Sequence, residues 1–442
     1  MRPHRPPLPP GPWLVVGLRR SGAAAARALW QRGEPVVCID AGDPPEAREL
    51  RSEGFEVWTD VDGVAELHRA RAVVKSPGVP RQAPVIAQAH ERGLAVIGEL
   101  ELGWRLLEVP FVAVTGTNGK TTTAELLGAI WRAAGRDVAV AGNVGIAVSS
   151  LVGSPAPAAT VVCEASSFQL EDSLAFAPEV ALLLNLAPDH LDRHGTFDDY
   201  RAAKLRLFEH QGPDDVAVGP RDLLALAGGR ARRVTIGGRE DDDLALRGGE
   251  LLWRGRPLMA LGELRLRGAH NAQNAMGAAA AALAFGVERE AVADALRTFA
   301  GVEHRLEEVA ELGGVLWVND SKATNIASTI VALDAVERPV HLILGGQAKG
   351  QDFGALREAI DERVRACYLI GEDAELIASS LEDVLPLVRC GDLATAVAVA
   401  GDAAEPGNAV LLSPACASFD QHASFEARGA SFKALVARRA AG

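Results

Sequence analysis

One stretch of the chain, 111–123, reads FVAVTGTNGKTTT. A short apolar run, 111–114, enters a turn that carries Gly116, Thr117, Asn118 and Gly119. Lys120, Thr121 and Thr122 follow at the head of a helix expected to run to about residue 135. Glycines in such a turn let backbone N–H groups close on phosphate oxygens, and the helix N-terminus adds partial positive charge. Lys120 then reaches the β- and γ-phosphates, and the Thr121 hydroxyl reaches a Mg²⁺ ion. The loop has the shorter G-x-x-G-K-T form, because Val114 stands where the commoner pattern has its first glycine. A Gly/Thr-rich turn without a ligand is the competing reading. The order strand, loop, Lys, Thr, helix favours a nucleoside triphosphate that is bound and split.

Other polar groups also follow apolar runs. Glu164 comes directly after TVVC, a position suited to holding Mg²⁺. His190 follows the run 180–186 and suits a second cation, or is simply a satisfied strand-end histidine. His190, Asp192 and His194 have no cysteine near them, which disfavours zinc. Asp320, Lys322, Thr324 and Asn325 form a dense polar stretch after the run 315–318. Asp320 suits a pair of ribose hydroxyls, and Lys322 and Thr324 suit phosphate or carboxylate. A helix N-cap at Asp320 or Ser321 would explain the same residues. Lys349, after Gly345-Gly346, suits an anion or lies in a free loop. Arg305, after His304, would place a guanidinium on a γ-phosphate or belong to a surface pair. Near the N-terminus, Gly17 and Ser21 lie between a strand and an Ala-rich helix, and Asp40 ends the next strand, 35–39. This resembles the opening of a dinucleotide-binding unit. Arg19 occupies the place of the second glycine, so an NAD site is disfavoured and a differently held nucleotide diphosphate stays open. Ser76 and Gly78 sit in a tight turn after the run 73–75.

These groups need a scaffold. At 442 residues the chain is long enough for two to three domains of about 150 residues each. Its 48% hydrophobic content supports large cores, and its net charge of −13 argues against a general nucleic-acid binder. Strand and helix signals alternate in three segments. Residues 1–108 begin with a Pro-rich tail, 1–11. Residues 109–300 hold the phosphate loop. In residues 301–442 four apolar runs, 315–318, 341–344, 367–370 and 409–412, each deliver polar or Gly residues to one rim. The charged, Gly-rich stretch 237–256 is expected as a hairpin or surface excursion. The five cysteines have no C-x-x-C spacing and sit in or near apolar runs, as buried free thiols do. No apolar run reaches transmembrane length, and the first residues lack a signal core. A cytoplasmic protein is expected, without membrane contact. The chain has only six lysines, so a Lys beside Gly, Asp or Thr draws more attention than usual.

Taken together, these residues resemble the Mur ligase family, the ATP-dependent amide-forming enzymes of peptidoglycan precursor synthesis. The likeness runs in order through Gly116 to Thr121, Gly142-Asn143-Val-Gly145, Glu164 to Gln169, Asp189-His190, Lys204, His270-Asn271 with Asn274, His304-Arg305, and Asn319 to Asn325. The stretch Leu412 to Gly429 points to the D-glutamate-adding members. No Asp-Asn-Pro-Arg run of the diaminopimelate-adding members is present. The resemblance implies an α/β protein of three domains: N-terminal Rossmann-like, central P-loop ATPase-like with a parallel sheet, and C-terminal Rossmann-like. It implies that Gly116, Thr117, Asn118, Gly119, Lys120, Thr121, Thr122, Asn271, Arg305, Asp320 and Lys322 meet ATP. Thr121, Glu164 and His190 would bind Mg²⁺ at two sites, with Lys204 carried as a carbamate. Gly17, Ser21, Asp40, Ser76 and Gly78 would hold the uridine diphosphate of UDP-N-acetylmuramoyl-L-alanine. Asn143, Ser167 and Gln169 would touch its muramoyl part. Thr324, Lys349, Ser418 and Phe425 would grip D-glutamate. Lys120, His190, Lys204 and Arg305 would be the catalytic set. A monomer working on small molecules is expected. A folylpolyglutamate synthase-like ligase is the nearest alternative, and an NAD-dependent oxidoreductase or a non-catalytic nucleotide switch are rivals from other classes.

Overall fold

The computed structural model describes residues 5–154, 159–266, 268–348, 350–360 and 363–441. Contacts divide the chain into two compact units, the first closing at Phe299 and the second opening at Ala300. The first unit holds two sheets. One has five parallel strands in the order Glu56–Trp58, Val36–Ile39, Trp13–Val16, Ala72–Lys75, Ala95–Gly98. Its central strands are buried on both faces, which is why they read as continuous apolar runs. The strand order reverses at Trp13–Val16, so the turns after it and after Ala72–Lys75 open side by side, where ligands of such sheets collect.

The second sheet of this unit has nine strands. The order is Arg256–Ala260, Glu250–Trp253, Leu244–Arg247, Arg232–Gly237, Val216–Pro220, Val180–Leu183, Phe111–Thr115, Val161–Glu164, Ala139–Gly142. From Leu244–Arg247 onward neighbours run parallel. The stretch 237–256 is more than a surface excursion. Leu244–Arg247 joins the sheet, and the next two strands extend it as an antiparallel meander. Gly248 and Gly249 make its first turn at φ +56° and +79°, the conformation that matches strand twist. Leu244, Leu251 and Met259 join the main core, so burial holds the extension in place. Phe111–Thr115 lies between Val161–Glu164 and Val180–Leu183, and the loops after all three leave on one side. The helix Ala269–Phe285 packs on this sheet through fully buried alanines, small enough for close approach.

The second unit is built on six strands in the order Glu307–Leu312, Val315–Asn319, Ala409–Leu412, Val340–Gly345, Val364–Ile370, Leu387–Gly391. All neighbours are parallel except the edge strand Glu307–Leu312. The four runs read from sequence are therefore adjacent, and the residues after Asn319, Leu412, Gly345 and Ile370 share one rim. Among the described residues no helix is long and apolar enough to cross a membrane.

Gly22 shows how tightly the first turn is built. It lies in the helix Arg20–Gln31, and a Cβ on it would stand 1.7 Å from the Gly17 carbonyl oxygen. Gly22→Ala is expected to destabilise the protein by about 1–3 kcal/mol through overpacking. A thermal melt of the purified variant checks this, and an unchanged melting temperature would mean that the turn yields freely.

Candidate active site

Gly119 precedes the helix Lys120–Ala133 at φ +84°. A Cβ there would stand 2.0 Å from Asn274 Oδ1, so the helix Ala269–Phe285 closes directly on the loop. Asn274 in turn donates to Asn271 Oδ1 at 3.3 Å. Asn185 clamps the loop from the neighbouring strand end. It accepts the Asn118 N–H at 2.8 Å and donates to the Asn118 carbonyl at 3.1 Å. Thr117 Oγ1 accepts from Ala187 N–H at 2.9 Å and from the Tyr200 hydroxyl at 3.1 Å. Lys120 Nζ donates to the Gly116 and Thr117 carbonyls at 2.9 and 2.8 Å. Thr121 and Thr122 are buried in the first helical turn, whose N–H groups have no partners within the helix.

A second lysine reaches the same carbonyl. Lys204, on the helix Phe197–Glu209, is buried and donates to Gly116 O at 2.7 Å, with its ammonium 4.7 Å from the Tyr200 ring centroid. Burial first, and then the Lys120 charge, push its pKa down to about 7, against the pull of Asp189 and Glu164. Glu164 ends its strand buried and accepts from Asn143 Nδ2 at 2.9 Å. His190 holds φ +51°, its ring 4.9 Å from Phe168 and its Nε2 3.5 Å from Asp189. The donor set fits a hard cation. The Glu164 carboxylate and Thr121 hydroxyl are oxygen ligands of the kind Mg²⁺ takes. Lys204 as an ammonium is no ligand, and only conversion to an anion would make it one. Among the described residues no three His, Cys, Asp or Glu side chains converge on a cage of their own.

The turns of the first sheet meet as its topology requires. A Cβ on Gly17, at φ +85°, would stand 2.6 Å from Val79 Cγ2 and 3.0 Å from Ser76 Cβ. Asp40 braces this turn, accepting the Leu18 N–H at 2.6 Å and the Gly42 N–H at 2.8 Å. Space around Gly78 is open. Ser21 is half-buried, and Arg19 and Arg20 are exposed, Arg20 donating to the Asn143 carbonyl at 3.4 Å. Sequence reasoning missed Arg193, which ties this turn to the central sheet. Its guanidinium donates to Val79 O at 3.0 Å and Glu171 at 2.9 Å. Beside it, His194 Nε2 meets Ser167 Oγ at 3.0 Å. The Gln169 carboxamide oxygen is used locally, in a capping box with Ser166.

In the second unit, Asp320 is buried. It accepts from Ser413 Oγ at 2.8 Å and from the Leu306 N–H at 3.2 Å. The segment 304–306 docks against 319–322 through Lys322 N–H to His304 O at 3.0 Å and Asn319 Nδ2 to His304 Nδ1 at 2.9 Å. His304 and Leu306 both hold positive φ on either side of Arg305. Among the described residues, the buried Arg305 Nε has no hydrogen-bond partner. Lys322 Nζ lies 5.8 Å from the Phe425 ring centroid, and Ser321 Oγ donates to the Phe425 carbonyl at 2.8 Å. The helix cap expected at Asp320 or Ser321 falls instead on Asn325, whose side chain accepts the Ser328 N–H at 2.8 Å. Thr324 is half-buried and Ser418 buried on the same rim, while Lys349 lies outside the described residues. His190, His304, Leu306 and Ala415 are four of the six non-glycine residues at positive φ among those described. Such strain gathers where function fixes the backbone.

Three family models match the chain in succession: the Mur ligase MurD-like N-terminal domain over residues 12–98, the Mur ligase middle domain over 114–282, and the Mur ligase glutamate ligase domain over 304–416. The chain is similar to the UDP-N-acetylmuramoylalanine–D-glutamate ligase of Acidobacterium capsulatum, 43% identical with 96% of this chain and 95% of that protein covered. It is 45% identical to the ligase of the same name from Anaeromyxobacter dehalogenans, with 96% and 97% covered. Among solved structures, the UDP-N-acetylmuramate-alanine ligase MurC of Thermotoga maritima shares the fold at a TM-score of 0.59 and 19% identity, covering 97% of this chain and 99% of that one.

Asp320 yields a pH test. Burial pushes its carboxyl up to about 7, against the opposing Ser413, Leu306 and Arg305 interactions. Its folded pKa lies above the unfolded value of about 3.9, so the folded protein holds the proton more tightly. The stability this gives is full below about pH 4 and is lost as pH rises toward 7. Asp320→Asn keeps the shape and removes the titration. Its melting temperature is expected to exceed that of the unchanged protein by more at pH 8 than at pH 5. Equal differences at the two pH values would contradict the assignment.

Proposed function

The chain belongs to the Mur ligase family, and on that premise we propose that it joins D-glutamate to UDP-N-acetylmuramoyl-L-alanine with cleavage of ATP to ADP and phosphate. The observation that carries this reading is the agreement of three successive domain matches with near-full-length relatives of that activity. The convergence of Lys120 and Lys204 on one carbonyl beside Glu164 supports it.

A free carboxylate and an amine do not condense at useful rates in water. The muramoyl-alanine carboxylate therefore attacks the γ-phosphorus, and the bond to the ADP oxygen breaks. The D-glutamate amine then attacks the acyl phosphate carbonyl, loses a proton, and expels inorganic phosphate. Residues 116–122 bind the triphosphate, with Lys120 opposing its charge, and Asn271, Arg305, Asp320 and Lys322 complete the nucleotide contacts. Thr121, Glu164, His190 and carbamylated Lys204 would hold Mg²⁺, which supplies charge neutralisation at the phosphate oxygens when bound. A lysine whose pKa lies near 7 has a large neutral fraction at physiological pH, and only the neutral amine adds CO₂. Gly17, Ser21, Asp40, Ser76 and Gly78 hold the uridine diphosphate. Asp40 acts by fixing the Gly17 turn, where its carboxylate is already engaged. Asn143, Ser167 and Gln169 border the muramoyl group. Thr324, Lys349, Ser418 and Phe425 hold D-glutamate. Residues 1–108, 109–300 and 301–442 are the uridine-nucleotide, ATP and amino-acid domains of a cytoplasmic monomer.

Phosphate release from Mg-ATP and UDP-N-acetylmuramoyl-L-alanine is expected with D-glutamate and not with L-glutamate, L-alanine or diaminopimelate. The product should be heavier by one glutamyl residue. Release with a different amino acid would move the substrate, and none with any would sink the proposal. Lys204→Ala is expected to lose roughly 10²–10³ in rate, by analogy with other electrostatic groups. Bicarbonate should not restore it, whereas a small carboxylate such as acetate should in part. Full activity without additive would remove Lys204 from the mechanism.

A further inference from the structure

Arg428 is 1% exposed, in the interior of the second unit. Its guanidinium has five N–H donors, and the structure gives them five oxygen acceptors. Nε donates to Ser321 Oγ at 3.0 Å, and Nη2 to the Ser321 and Cys416 carbonyls at 3.0 Å each. Nη1 faces the Ala417 carbonyl at 3.4 Å and the Gly345 carbonyl at 3.5 Å. One side chain thus pins the three rim loops after Asn319, Gly345 and Leu412. None of its acceptors carries a charge, and Asp420 is the carboxylate whose field acts on it from farther off. Burial lowers its pKa to about 10, so it stays charged at neutral pH. A buried cation held only by neutral oxygens is expensive unless an anion completes it.

The peptide units around it turn carbonyls toward that charge. Across a trans peptide the C=O and N–H point in opposite directions. The Ala417 carbonyl faces Arg428 and also accepts the Gln347 N–H at 2.9 Å, so the Ser418 N–H points away from the guanidinium. Among the described residues that N–H has no acceptor, although Ser418 is buried. Ala415, three residues earlier, holds φ +58°, a strained conformation for a non-glycine residue and one that bends the loop around this point.

We propose that Arg428 is a positioning and specificity residue for the amino-acid substrate: acting through the Ala417–Ser418 peptide, it presents the Ser418 N–H to a substrate carboxylate and supplies the positive potential that selects a dicarboxylic amino acid. The inference rests on the reading of Ser418 and Phe425 as part of the amino-acid site. Arg428 does not touch the substrate itself. It differs from a merely structural arginine in acting on one substrate and on its charge.

The test compares Arg428→Lys and Arg428→Met with the unchanged enzyme in steady-state phosphate release, using D-glutamate and its neutral isostere D-glutamine. Melting curves confirm that each variant is folded. Arg428→Met is expected to raise the KM for D-glutamate about 10–100-fold, the range for losing hydrogen bonding to a charged group. The KM for ATP should stay within about twofold, and the preference for D-glutamate over D-glutamine should shrink in parallel. Arg428→Lys keeps the charge and loses the fork. It should raise the D-glutamate KM while keeping the preference. Folded variants with an unchanged D-glutamate KM and an unchanged preference would overturn the inference. If Arg428→Met does not fold, the lysine variant decides: an unchanged D-glutamate KM overturns the inference and a raised one supports it. Absence of D-glutamate-dependent release in the unchanged enzyme would instead defeat the proposed function, before any variant is compared.

Discussion

Two ammonium groups meet at the Gly116 carbonyl oxygen, Lys120 at 2.9 Å and Lys204 at 2.7 Å. Burial depresses the pKa of Lys204 first, and repulsion from the Lys120 charge adds to it. Asp189 and Glu164 offset part of that field, and a bound anion or the loss of one positive charge would offset more. Under the proposed function, phosphate oxygens would supply the anion, and carbamylation of Lys204 would turn that cation into one. Much of the first unit can be understood as the means of holding these two nitrogens in place. The glycine turn brings one lysine back over its own loop. Tyr200, one helical turn before Lys204, bonds Thr117 and so locks the helix carrying the second lysine to that same loop.

The parallel sheet makes the convergence possible. Phe111–Thr115, Val161–Glu164 and Val180–Leu183 are adjacent and run the same way. The residues after them, Gly116, Ala165 and Leu184, therefore emerge on one edge without any further device. Position along the chain is irrelevant to this, since Lys204 lies 88 residues from the carbonyl it meets. Helix packing then closes the loop from above. Asn274 leaves no room for a Cβ at Gly119, so the glycine is demanded twice, by its left-handed φ and by its neighbour.

Legibility from sequence followed local chemistry. Strands whose apolar run stops abruptly at an acid, amide or Ser-Pro, such as Val161–Glu164, Val315–Asn319 and Ala409–Leu412, are readable. Ala95–Gly98 and Ala139–Gly142 also end in Gly but are only four residues long, too short for the alternation of a strand to show against a helix or turn. Glu307–Leu312 is an edge strand with a register shift, and its acidic content hides its pairing. At the site, motif residues are visible because their types are unusual for a turn. The residues that hold them are not. Asn185 is legible as a polar strand end, yet its double bond to Asn118 depends on strand order. Arg193 reads as an ordinary surface arginine in a chain that uses arginine freely, and Arg428, inside the stretch Leu412 to Gly429, shows no local sign of its burial. Only burial and long-range register reveal them.

The buried basic side chains divide by what faces them. Lys75 is fully buried but stands 2.6 Å from Asp172 and 3.5 Å from Glu171, and it donates to the Val79 carbonyl at 2.8 Å. Its charge is met inside the protein, and its work is to join the first sheet to the central one. Lys204 and Arg428 are as deeply buried and bond only to neutral oxygens among the described residues. Desolvating a charge without an ionic partner costs several kcal/mol in practice. Folding alone would favour an apolar side chain at either place, since replacing buried charge by packed hydrophobic groups is often neutral or stabilising. Asp189 and Glu164 act on Lys204, and Asp420 on Arg428, without bonding to them, so under the proposed function each is a charge that a substrate anion would complete. On this view the protein is folded around incomplete electrostatics, and binding completes it.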